Sequence, residues 1–480
     1  MVNKVLILGG GSAGWMCAAF LSRVFPNLHI SLVESNQYAP VGVGEATIPP
    51  IQLFNQILKI DEADFIQYTD ATYKLGIQFN HWGKQGQSYL HAFGEVGKPL
   101  GLIPFIHYWL RAAKQQQLSV DDFWQYSLNA QAAAQNQFVQ AKHLAGTRLP
   151  GLTYAYHFDA ALYADFLKRL SGQNGVTHIQ GEVIEVIQNP QTLDISALKL
   201  ADGQIIEGDL FIDCSGFKAL LIDKTLNTPY QDWSHYLPAG RAVVVQTDAK
   251  LPLLYTQANA HQFGWSWQIP LKSRTGNGLV YSSKFASDDW ATNTLLANSQ
   301  GQTLYEPRVI QFKTGRYTKP WHKNVIAIGL ASGFVEPMES TSLHMVQSSL
   351  LRLLKLMPNG QITPASRDTF NQLAEVEAER IRDFIVLHYY LNQRDDSKFW
   401  QHMRTMPIPD SLQQKLDLFR QTGQVIRQQD ELFSESSWQQ VMLGQGLMPQ
   451  SYHPLAEQIS QQQLDDFFAS FKAVIGNTLR

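Results

Sequence analysis

Cysteine is scarce in this chain. Of its 480 residues only two are cysteines, Cys17 and Cys214. They form neither a CxxC motif nor a zinc-binding spacing, and two cysteines cannot build a disulfide framework. This scarcity excludes a disulfide-stapled secreted domain, predicts no metal site, and favours a reducing compartment such as the cytoplasm.

An excess of charge of one sign is also missing. Lys and Arg number 38 and Asp and Glu 41, for a net charge of −3, which argues against an electrostatic binder of nucleic acid. We find no apolar run long enough for a membrane span or a signal peptide, so neither a membrane nor nucleic acid is an expected partner. The hydrophobic content of 44% and the length predict an ordinary globular protein with more than one subdomain.

The stretch KVLILGGGSAGWM near the N-terminus predicts a dinucleotide-binding strand, turn and helix. In this motif Gly9 makes the tight turn, Gly11 lets a pyrophosphate approach the backbone, and Gly14 lets the helix pack closely on the strand. The helix N-terminus attracts the phosphates. Glu34 ends the next predicted strand, HISLVES, where an acid can accept the ribose hydroxyls. The predicted phosphate-binding turn consists of Gly9, Gly11, Ser12, Ala13 and Gly14.

Two later segments indicate that the nucleotide is FAD. GDLFIDCSG (208–216) reads as a hydrophobic strand, and NVIAIGLASGFVEP (324–337) as a buried strand that runs into a glycine turn. Flavoprotein monooxygenases return to their flavin through two such strands. Flavin hydroxylases usually carry Gly-Asp-Ala in the second turn, whereas here Gly329 is followed by Leu330 and Ala331. We therefore expect Gly329 and Leu330 to contact FAD in a protein outside the ordinary hydroxylases.

Five motifs of the chain occur together in one known enzyme family. They are GGGSAGWM (9–16), VGVGEATIP (41–49), ATYKLGI (71–77), GWSWQIP (264–270) and FVEPMESTS (334–342). By these residues the chain resembles the flavin-dependent tryptophan halogenases over most of its length. The resemblance implies an α/β fold of the flavoprotein-monooxygenase type, in which a Rossmann-type FAD-binding part carries an inserted substrate subdomain and a helical C-terminal region. The expected modules are 1–60, 150–224 and 310–355 for FAD, 61–149 and 225–309 for the substrate, and 356–480 for the helical region.

The resemblance further implies a two-component enzyme. A separate NAD(P)H-dependent flavin reductase supplies reduced FAD (FADH2), which with oxygen and chloride or bromide gives hypohalous acid. That oxidant then travels to an electron-rich aromatic carbon. The alternatives are a flavin-dependent monooxygenase that hydroxylates or epoxidises without halide, and a flavin-binding protein without turnover.

Lys74 and Glu339 match the catalytic residues of that family. Lys74 would hydrogen-bond hypohalous acid or become a haloamine; by itself, a lysine in YKLGI could equally extend to the surface beside a strand. Glu339 would stabilise the cationic ring, accept its proton or hold Lys74 in place. Glu339 also suits the start of the predicted helix ESTSLHMVQSSLLRLLKL, with Ser340 as its N-cap.

The start of that helix is also the expected halide site, because backbone amides at a helix N-terminus bind anions. The resemblance assigns the site to Thr341 and Ser342. Ser342 stands where the family usually has glycine, and its Cβ makes a left-handed backbone less accessible. We therefore expect this position to influence halide affinity and the choice between chloride and bromide.

Trp265 and Trp267 lie two residues apart in GWSWQIP, so on a strand they point to the same face. They would form either part of a sheet core or, by the resemblance, a wall along the passage that keeps the flavin from acting directly on the substrate. Ile269 and Pro270 complete this motif. His91 and Phe93 align with residues that line the aromatic substrate pocket of the family.

The segment VGVGEATIP is expected to cover the flavin. Gly42 and Gly44 would permit a mobile strap, and Gly44, Glu45 and Ala46 would contact FAD; a purely structural loop is the alternative.

Beyond residue 400 or so the resemblance weakens. The tryptophan-specific enzymes carry a longer C-terminal part that grips the amino acid, whereas SSWQQVMLGQGLMPQSYHPL (436–455) lacks the corresponding tyrosine pair. We therefore expect an indole, a phenol, or an aromatic residue of a larger molecule or peptide rather than free tryptophan. A homodimer is expected from the family alone.

Overall fold

The computed structural model describes residues 2–35, 44–429 and 431–480. The chain forms two compact units. The first unit consists of Met1–Ala71, His157–Gly240 and Ile310–Glu379; the second consists of Thr72–Tyr156, Arg241–Val309 and Arg380–Arg480. The division into three modules by function stays a prediction, because compactness alone does not show which part binds which ligand.

Strands and helices alternate along much of the chain. The strands are β1 Lys4–Leu8, β2 His29–Glu34, β3 Glu45–Ala46, β4 Thr72–Lys74, β5 Gly76–Asn80, β6 Ser88–Ala92, β7 Ala155–Phe158, β8 Thr177–Gln180, β9 Val183–Gln188, β10 Ile195–Leu200, β11 Ile205–Glu207, β12 Leu210–Asp213, β13 Tyr230–Asp232, β14 Arg241–Thr247, β15 Thr256–His261, β16 Gly264–Pro270, β17 Thr275–Tyr281, β18 Arg308–Gln311, β19 Gly315–Tyr317, β20 Trp321–His322, β21 Val325–Ala327 and β22 Gly333–Phe334. The helices are α1 Ser12–Val24, α2 Pro50–Ile57, α3 Glu62–Tyr68, α4 Phe105–Gln116, α5 Leu128–Ala134, α6 Ala160–Gln173, α7 Asp288–Asn298, α8 Ser342–Leu356, α9 Pro364–Tyr390, α10 Lys398–Thr405, α11 Asp410–Thr422, α12 Glu435–Gly444 and α13 Gln461–Thr478.

The first unit is built on a sheet with the strand order β20-β21-β12-β1-β2-β8. Its strands are parallel except for the pair β20 and β21. The sequences of β1 and β12 are nearly continuous hydrophobic runs because parallel strands are buried on both faces. Helix α1 joins β1 to β2 and packs against α6 and α8. This arrangement confirms the predicted α/β class with a Rossmann-type layer.

The second unit contains a sheet in which β14, β17, β16, β15, β5 and β6 follow one another. Strand β16 pairs antiparallel with β15 on one side and with β17 on the other. All of its residues, from Gly264 to Pro270, are buried. The GWSWQIP motif therefore lies in the interior of the second unit.

Helices α9 to α13 follow one another from Pro364 to Thr478. Helix α9, at 27 residues, is the longest of those in the part of the chain that the structure describes. A search of the same residues finds no helix with the length and apolar character needed to span a membrane.

Candidate active site and cofactor cavity

The glycine turn after β1 has the geometry that its sequence predicts. Gly9 has a φ of +114°, and a Cβ built there would lie 2.2 Å from the carbonyl oxygen of Cys214. A Cβ at Gly14 would lie 1.8 Å from the carbonyl oxygen of Gly9. These two positions therefore require glycine, because a side chain would clash with the backbone of the protein itself. Gly11 is different, since it has ordinary extended backbone angles as the N-cap of α1 and a Cβ there would meet no protein atom within 4 Å.

A cavity of about 720 Å³ opens beside this turn. The glycine turn, the ends of β2 and β12 and part of α6 line it, through residues that include Gly11, Ser12, Glu34, Lys168, Cys214 and Phe217. Its size is in the range of small-molecule sites. The amides at the start of α1 and the open space at Gly11 fit the pyrophosphate of a dinucleotide such as FAD.

The carboxylate of Glu34 is held by two basic side chains that the sequence pattern did not reveal. Its Oε1 accepts hydrogen bonds from Lys168 Nζ at 3.2 Å and from His178 Nε2 at 2.7 Å. Lys168 lies on α6 and His178 on β8, so only the folded sheet brings them to the end of β2. The pair fixes the position of the acid that is expected to accept the ribose hydroxyls.

A buried acid at the end of β12 organises the second predicted strand. Asp213 accepts hydrogen bonds from the hydroxyl of Ser215 at 2.6 Å and from the backbone amides of Leu221 and Ile222 at 2.8 and 2.9 Å. These bonds shape the turn that borders the cavity. The motif GDLFIDCSG indicated the strand but not this role of its aspartate.

The other predicted FAD contacts lie on short elements of the first unit. Gly329 follows β21 and has a φ of +70°. A Cβ built on Gly329 would lie 2.8 Å from the Cβ of Ala13. Leu330, the next residue, is half-buried. Gly44 also has a positive φ, of +75°. Glu45 and Ala46 form β3, which pairs antiparallel with β7.

Desolvation on burial raises the pKa of the Glu45 carboxyl group to about 7. The rest of the predicted strap, including Gly42, lies outside the described residues.

Replacement of Gly11 by alanine tests the cofactor cavity. Because a Cβ at Gly11 meets no protein atom, we expect Gly11→Ala to fold with an unchanged melting temperature. Since it narrows the approach of a pyrophosphate, we also expect it to weaken FAD binding at least tenfold, or ~1.4 kcal/mol. Fluorescence titration with FAD measures this. The control is Gly172→Ala on α6, where a Cβ is equally unobstructed; equal affinities for both variants would contradict the assignment.

Lys74 is the last residue of β4, and its side chain is fully buried. Its Nζ lies 5.4 Å from the centroid of the Phe93 ring, within the range of a cation–π contact. The backbone amide of Phe93 donates to the carbonyl of Leu75 at 2.8 Å, which ties the two segments together. The alternative interpretation, a lysine extending to the surface, is therefore wrong.

The two tryptophans of β16 lie against each other. The ring centroids of Trp265 and Trp267 are 5.9 Å apart, as expected for side chains on one face of a strand. Trp265 Nε1 donates to the hydroxyl of Tyr389 at 2.9 Å. A Cβ at Gly278, directly opposite on β17, would come within 2.1 Å of the Trp267 ring. The glycine thus provides the space that the second indole occupies.

The end of this motif lies next to the strand that carries Lys74. The carbonyl oxygen of Pro270 accepts a hydrogen bond from the hydroxyl of Thr72 on β4 at 2.7 Å. Ile269 is buried beside it. The structure therefore brings the tryptophan motif and the lysine motif together within the second unit, although nearly two hundred residues separate them in sequence.

His91 and Phe93, predicted to line the substrate pocket, lie at and just beyond the end of β6. The His91 ring is buried and packs against Phe384 on α9 and Phe433, with centroid distances of 5.5 and 6.1 Å. Phe384 and Phe433 stack at 3.7 Å. Phe433 lies beyond residue 400, where the resemblance is weak, and Phe384 lies outside the five motifs, so neither residue was identified from the sequence.

Glu339 lies in the first unit and is fully buried. It ends a single 3₁₀ turn, Pro337–Glu339, and α8 begins shortly after it, at Ser342. The N-cap prediction was wrong: Thr341 occupies that position, because Ser340 adopts a left-handed conformation with a φ of +57° rather than the extended one of a capping serine.

The first turn of α8 has polar groups available for a ligand. The Thr341 hydroxyl is buried and has no hydrogen-bond partner among the residues that the structure describes. Ser342 is the first helical residue and is half-buried. Its φ is not positive. Ser342 therefore has a backbone conformation that its Cβ does not disfavour, and the left-handed residue is Ser340. The influence of Ser342 on halide affinity stays a prediction.

The same helix is anchored to α9 through Glu377. His344 Nε2 and Arg352 Nη2 approach its carboxylate at 3.3 and 2.7 Å. Burial alone would raise the pKa of Glu377, but the hydrogen bonds and charges of His344 and Arg352 outweigh it and hold that pKa at about 2. These contacts join α8 to α9 at His344 in its first turn and at Arg352 in its third. Sequence reasoning did not identify them because both partners are distant along the chain from Glu377.

Comparison with known proteins gives concordant matches. A family profile described as "Tryptophan halogenase" matches residues 4–461. The tryptophan 7-halogenase RebH of Lentzea aerocolonigenes is 32% identical over 98% of this chain and 95% of its own. Among solved structures, Xcc4156, a flavin-dependent halogenase from Xanthomonas campestris, is 44% identical with a TM-score of 0.96 over 100% of this chain and 96% of its own. BrvH, a flavin-dependent halogenase from Brevundimonas sp. BAL3, is 38% identical with a TM-score of 0.95 over the same shares.

Proposed function

The chain belongs to the tryptophan halogenase family, and from this premise we propose which residues carry its reaction and which substrates it takes. The protein is a flavin-dependent halogenase that uses FADH2 and chloride or bromide. Enzymes of this family generally depend on a separate flavin reductase and act on aromatic substrates. The expected flavoprotein fold is confirmed, and nothing supports the alternative of a monooxygenase without halide.

We propose that FAD occupies the cavity beside the glycine turn. When bound in its reduced form, FAD supplies the electrons with which oxygen and a halide are converted to hypohalous acid. The amides of the first turn of α1 would hold the pyrophosphate and Glu34 the ribose. The remaining proposed contacts are Gly9, Gly11, Ser12, Ala13, Gly14, Gly44, Glu45, Ala46, Gly329 and Leu330.

Lys74 is the proposed carrier of the oxidised halogen. The observation that supports this role is a fully buried amine beside the ring of Phe93. Lysine is seldom fully buried, so its burial here favours a role beyond packing. The Nζ would either donate a hydrogen bond to hypohalous acid or accept the halogen as a haloamine.

Glu339 is proposed to act on the aromatic carbon that receives the halogen. That carbon becomes cationic and then loses a proton, and a buried carboxylate can stabilise the cation or accept the proton. The halide itself is proposed to bind at the first turn of α8, with the amides of Thr341 and Ser342. The buried Thr341 hydroxyl, which has no hydrogen-bond partner in the described residues, supports a ligand at this point.

The paired indoles of Trp265 and Trp267 are proposed as the wall that separates the flavin chemistry from the substrate. Both are buried and occupy one face of β16, where two large rings leave little space for a third group. The strand ends at Pro270, whose carbonyl oxygen accepts a hydrogen bond from Thr72 on β4, the strand that carries Lys74. This connection supports the proposal that Lys74 receives the hypohalous acid that passes Trp265 and Trp267.

The substrate is proposed to be an electron-rich aromatic other than free tryptophan. The region 436–455 lacks the tyrosine pair with which tryptophan-specific enzymes grip the amino acid. His91 and Phe93, with Phe384 and Phe433 packed against His91, offer aromatic contacts suited to an indole or phenol ring.

Steady-state kinetics with a substrate panel would test this substrate class. The panel consists of indole, a simple phenol, free tryptophan and a short peptide that contains tryptophan, each with bromide and a generic flavin reductase. We expect kcat/KM for indole to exceed that for free tryptophan at least tenfold, because no site for the ammonium and carboxylate groups is expected. A preference for free tryptophan would contradict the proposal and leave the halogenase chemistry unaffected.

The hydroxyl of Ser342 provides a test of the halide site. If it donates a hydrogen bond to the halide, we expect Ser342→Ala to raise the KM for chloride and bromide at least tenfold, since a hydrogen bond to an ion contributes about 1.5–3 kcal/mol. The KM for the aromatic substrate should not change. Ser349→Ala, two turns along the same helix, is the control. An unchanged halide KM in Ser342→Ala would exclude a role for the hydroxyl.

Two further expectations from the sequence stay predictions. We propose that the protein forms a homodimer, as expected from its family, and sedimentation velocity would decide between monomer and dimer. The cytoplasm remains the proposed compartment, because the only two cysteines of the chain are free and buried.

A further inference from the structure

The only two cysteines of the chain meet in the first unit, beside the cofactor cavity. Cys17 lies on α1, and Cys214 directly follows β12. Their Sγ atoms are 3.8 Å apart, which is close to van der Waals contact. Two cysteines brought together from positions so distant in sequence form a potential disulfide, since a bond requires the sulfurs to approach to roughly 2.05 Å.

The two thiols differ in their access to the cavity. Cys214 lines it, whereas the side chain of Cys17 is fully buried behind it. The neighbouring thiol of Cys17 and burial raise the pKa of Cys214 well above its usual range, so Cys214 is protected from weak oxidants that need a thiolate. A strong electrophilic oxidant that enters the cavity would meet Cys214 first.

We propose that Cys17 and Cys214 form an oxidisable pair that disables the cofactor site when hypohalous acid escapes along the cavity. The proposal rests on the halogenase function, which supplies the oxidant. The site takes a hypohalous acid as its reactant, and the product is an intramolecular disulfide.

The chemistry balances in two displacements. The sulfur of Cys214 attacks the halogen of hypohalous acid, so that a sulfur–halogen bond forms, the oxygen–halogen bond breaks, and the thiol proton leaves with the hydroxide as water. The sulfur of Cys17 then attacks that of Cys214, so that the disulfide forms and a halide ion and a proton leave. Both sulfurs are oxidised, and the halogen is reduced to halide.

The backbone around Cys214 explains why the bond would affect FAD. The amide of Cys214 donates to the carbonyl of Leu8 at 2.8 Å, and its own carbonyl occupies the space where Gly9 would carry a Cβ. The backbone of Cys214 therefore packs directly against the glycine turn. Drawing its sulfur toward α1 would displace the turn that holds the pyrophosphate.

Treatment of the purified protein in the absence of turnover tests the proposal. One portion receives an equimolar amount of sodium hypochlorite, and an equal portion receives buffer alone. We expect a peptide cross-linked through Cys17 and Cys214 in non-reducing mass spectrometry. We also expect a roughly tenfold loss of FAD affinity that dithiothreitol restores. A pair that remains as two free thiols, or a cross-link that leaves FAD affinity unchanged, would overturn the proposal.

The variant Cys17→Ala is the matched control. It alters no residue of the cavity lining, so we expect normal FAD affinity before treatment and no cross-link afterwards. Should it not fold, Cys214→Ser serves for the cross-linking measurement. A third portion of the wild-type protein is allowed to turn over with FAD and a flavin reductase, in the presence or absence of bromide. A cross-link that forms during turnover only when bromide is present would connect it to halogenation. A cross-link that forms with added hypochlorite but never during turnover would overturn the self-oxidation proposal and leave the halogenase function unaffected.

Discussion

Replacement of Lys74 by methionine is expected to abolish halogenation of the aromatic substrate, with a loss of about 10³-fold in kcat, within the range attributed to a positioned catalytic side chain. Methionine retains an unbranched apolar side chain and removes the amine. Because FAD is proposed to bind in the first unit, oxygen consumption with reduced flavin should continue. We expect the variant to consume FADH2 while product masses show no halogen.

The controls separate loss of chemistry from loss of structure. Lys84→Met replaces an exposed lysine of the same unit and should behave as the wild type. FAD affinity and the melting temperature of Lys74→Met should be measured alongside. If Lys74→Met halogenates indole at more than a tenth of the wild-type rate, the proposal that this amine carries the halogen is incorrect.

Replacement of Glu339 by glutamine should lower the rate of halogenation about 10²-fold, since the amide retains the shape of the carboxylate but can neither accept a proton nor offset the charge of the ring. The KM for the halide should change little, because the proposed amides of α8 remain. Single-turnover product formation measures this effect independently of flavin reduction.

Glu207→Gln is the comparison for this variant, because Glu207 is largely exposed in the first unit. We expect it to leave the rate unchanged. Glu339→Asp should recover part of the activity, since the charge is restored at a shorter reach. Full activity in Glu339→Gln would show that the carboxylate has no chemical role and serves only at the start of α8.

Local patterns in the sequence predicted the features that depend on local geometry. The conformations of Gly9 and Gly14 follow from the spacing of a strand–turn–helix motif, and the common face of Trp265 and Trp267 follows from the two-residue repeat of a strand. A helix after Glu339 followed from its apolar periodicity. Each of these conclusions needs only a few neighbouring residues.

Contacts between distant segments could not be predicted in this way. The bonds from Lys168 and His178 to Glu34, and the packing of Phe384 and Phe433 on His91, arise only when sheets and helices assemble. The N-cap error at the start of α8 has a similar cause.

That error arose because the turn Pro337–Glu339 forces Ser340 into a left-handed conformation, which the Ser and Thr residues of the sequence do not reveal. The burial of Lys74 was likewise open, since a lysine in an apolar run fits both a surface and an interior position. In both cases tertiary packing decided between conformations that the local sequence permits equally.

The most direct test of the account is the mass of the product formed from indole by the purified protein with FAD, NADH, a flavin reductase and oxygen, in the presence and absence of bromide. We expect a monobrominated product, recognised by its isotope pair, that requires bromide and is missing with Lys74→Met. A product that gains oxygen without bromide, or a brominated product that persists in Lys74→Met, would contradict this expectation.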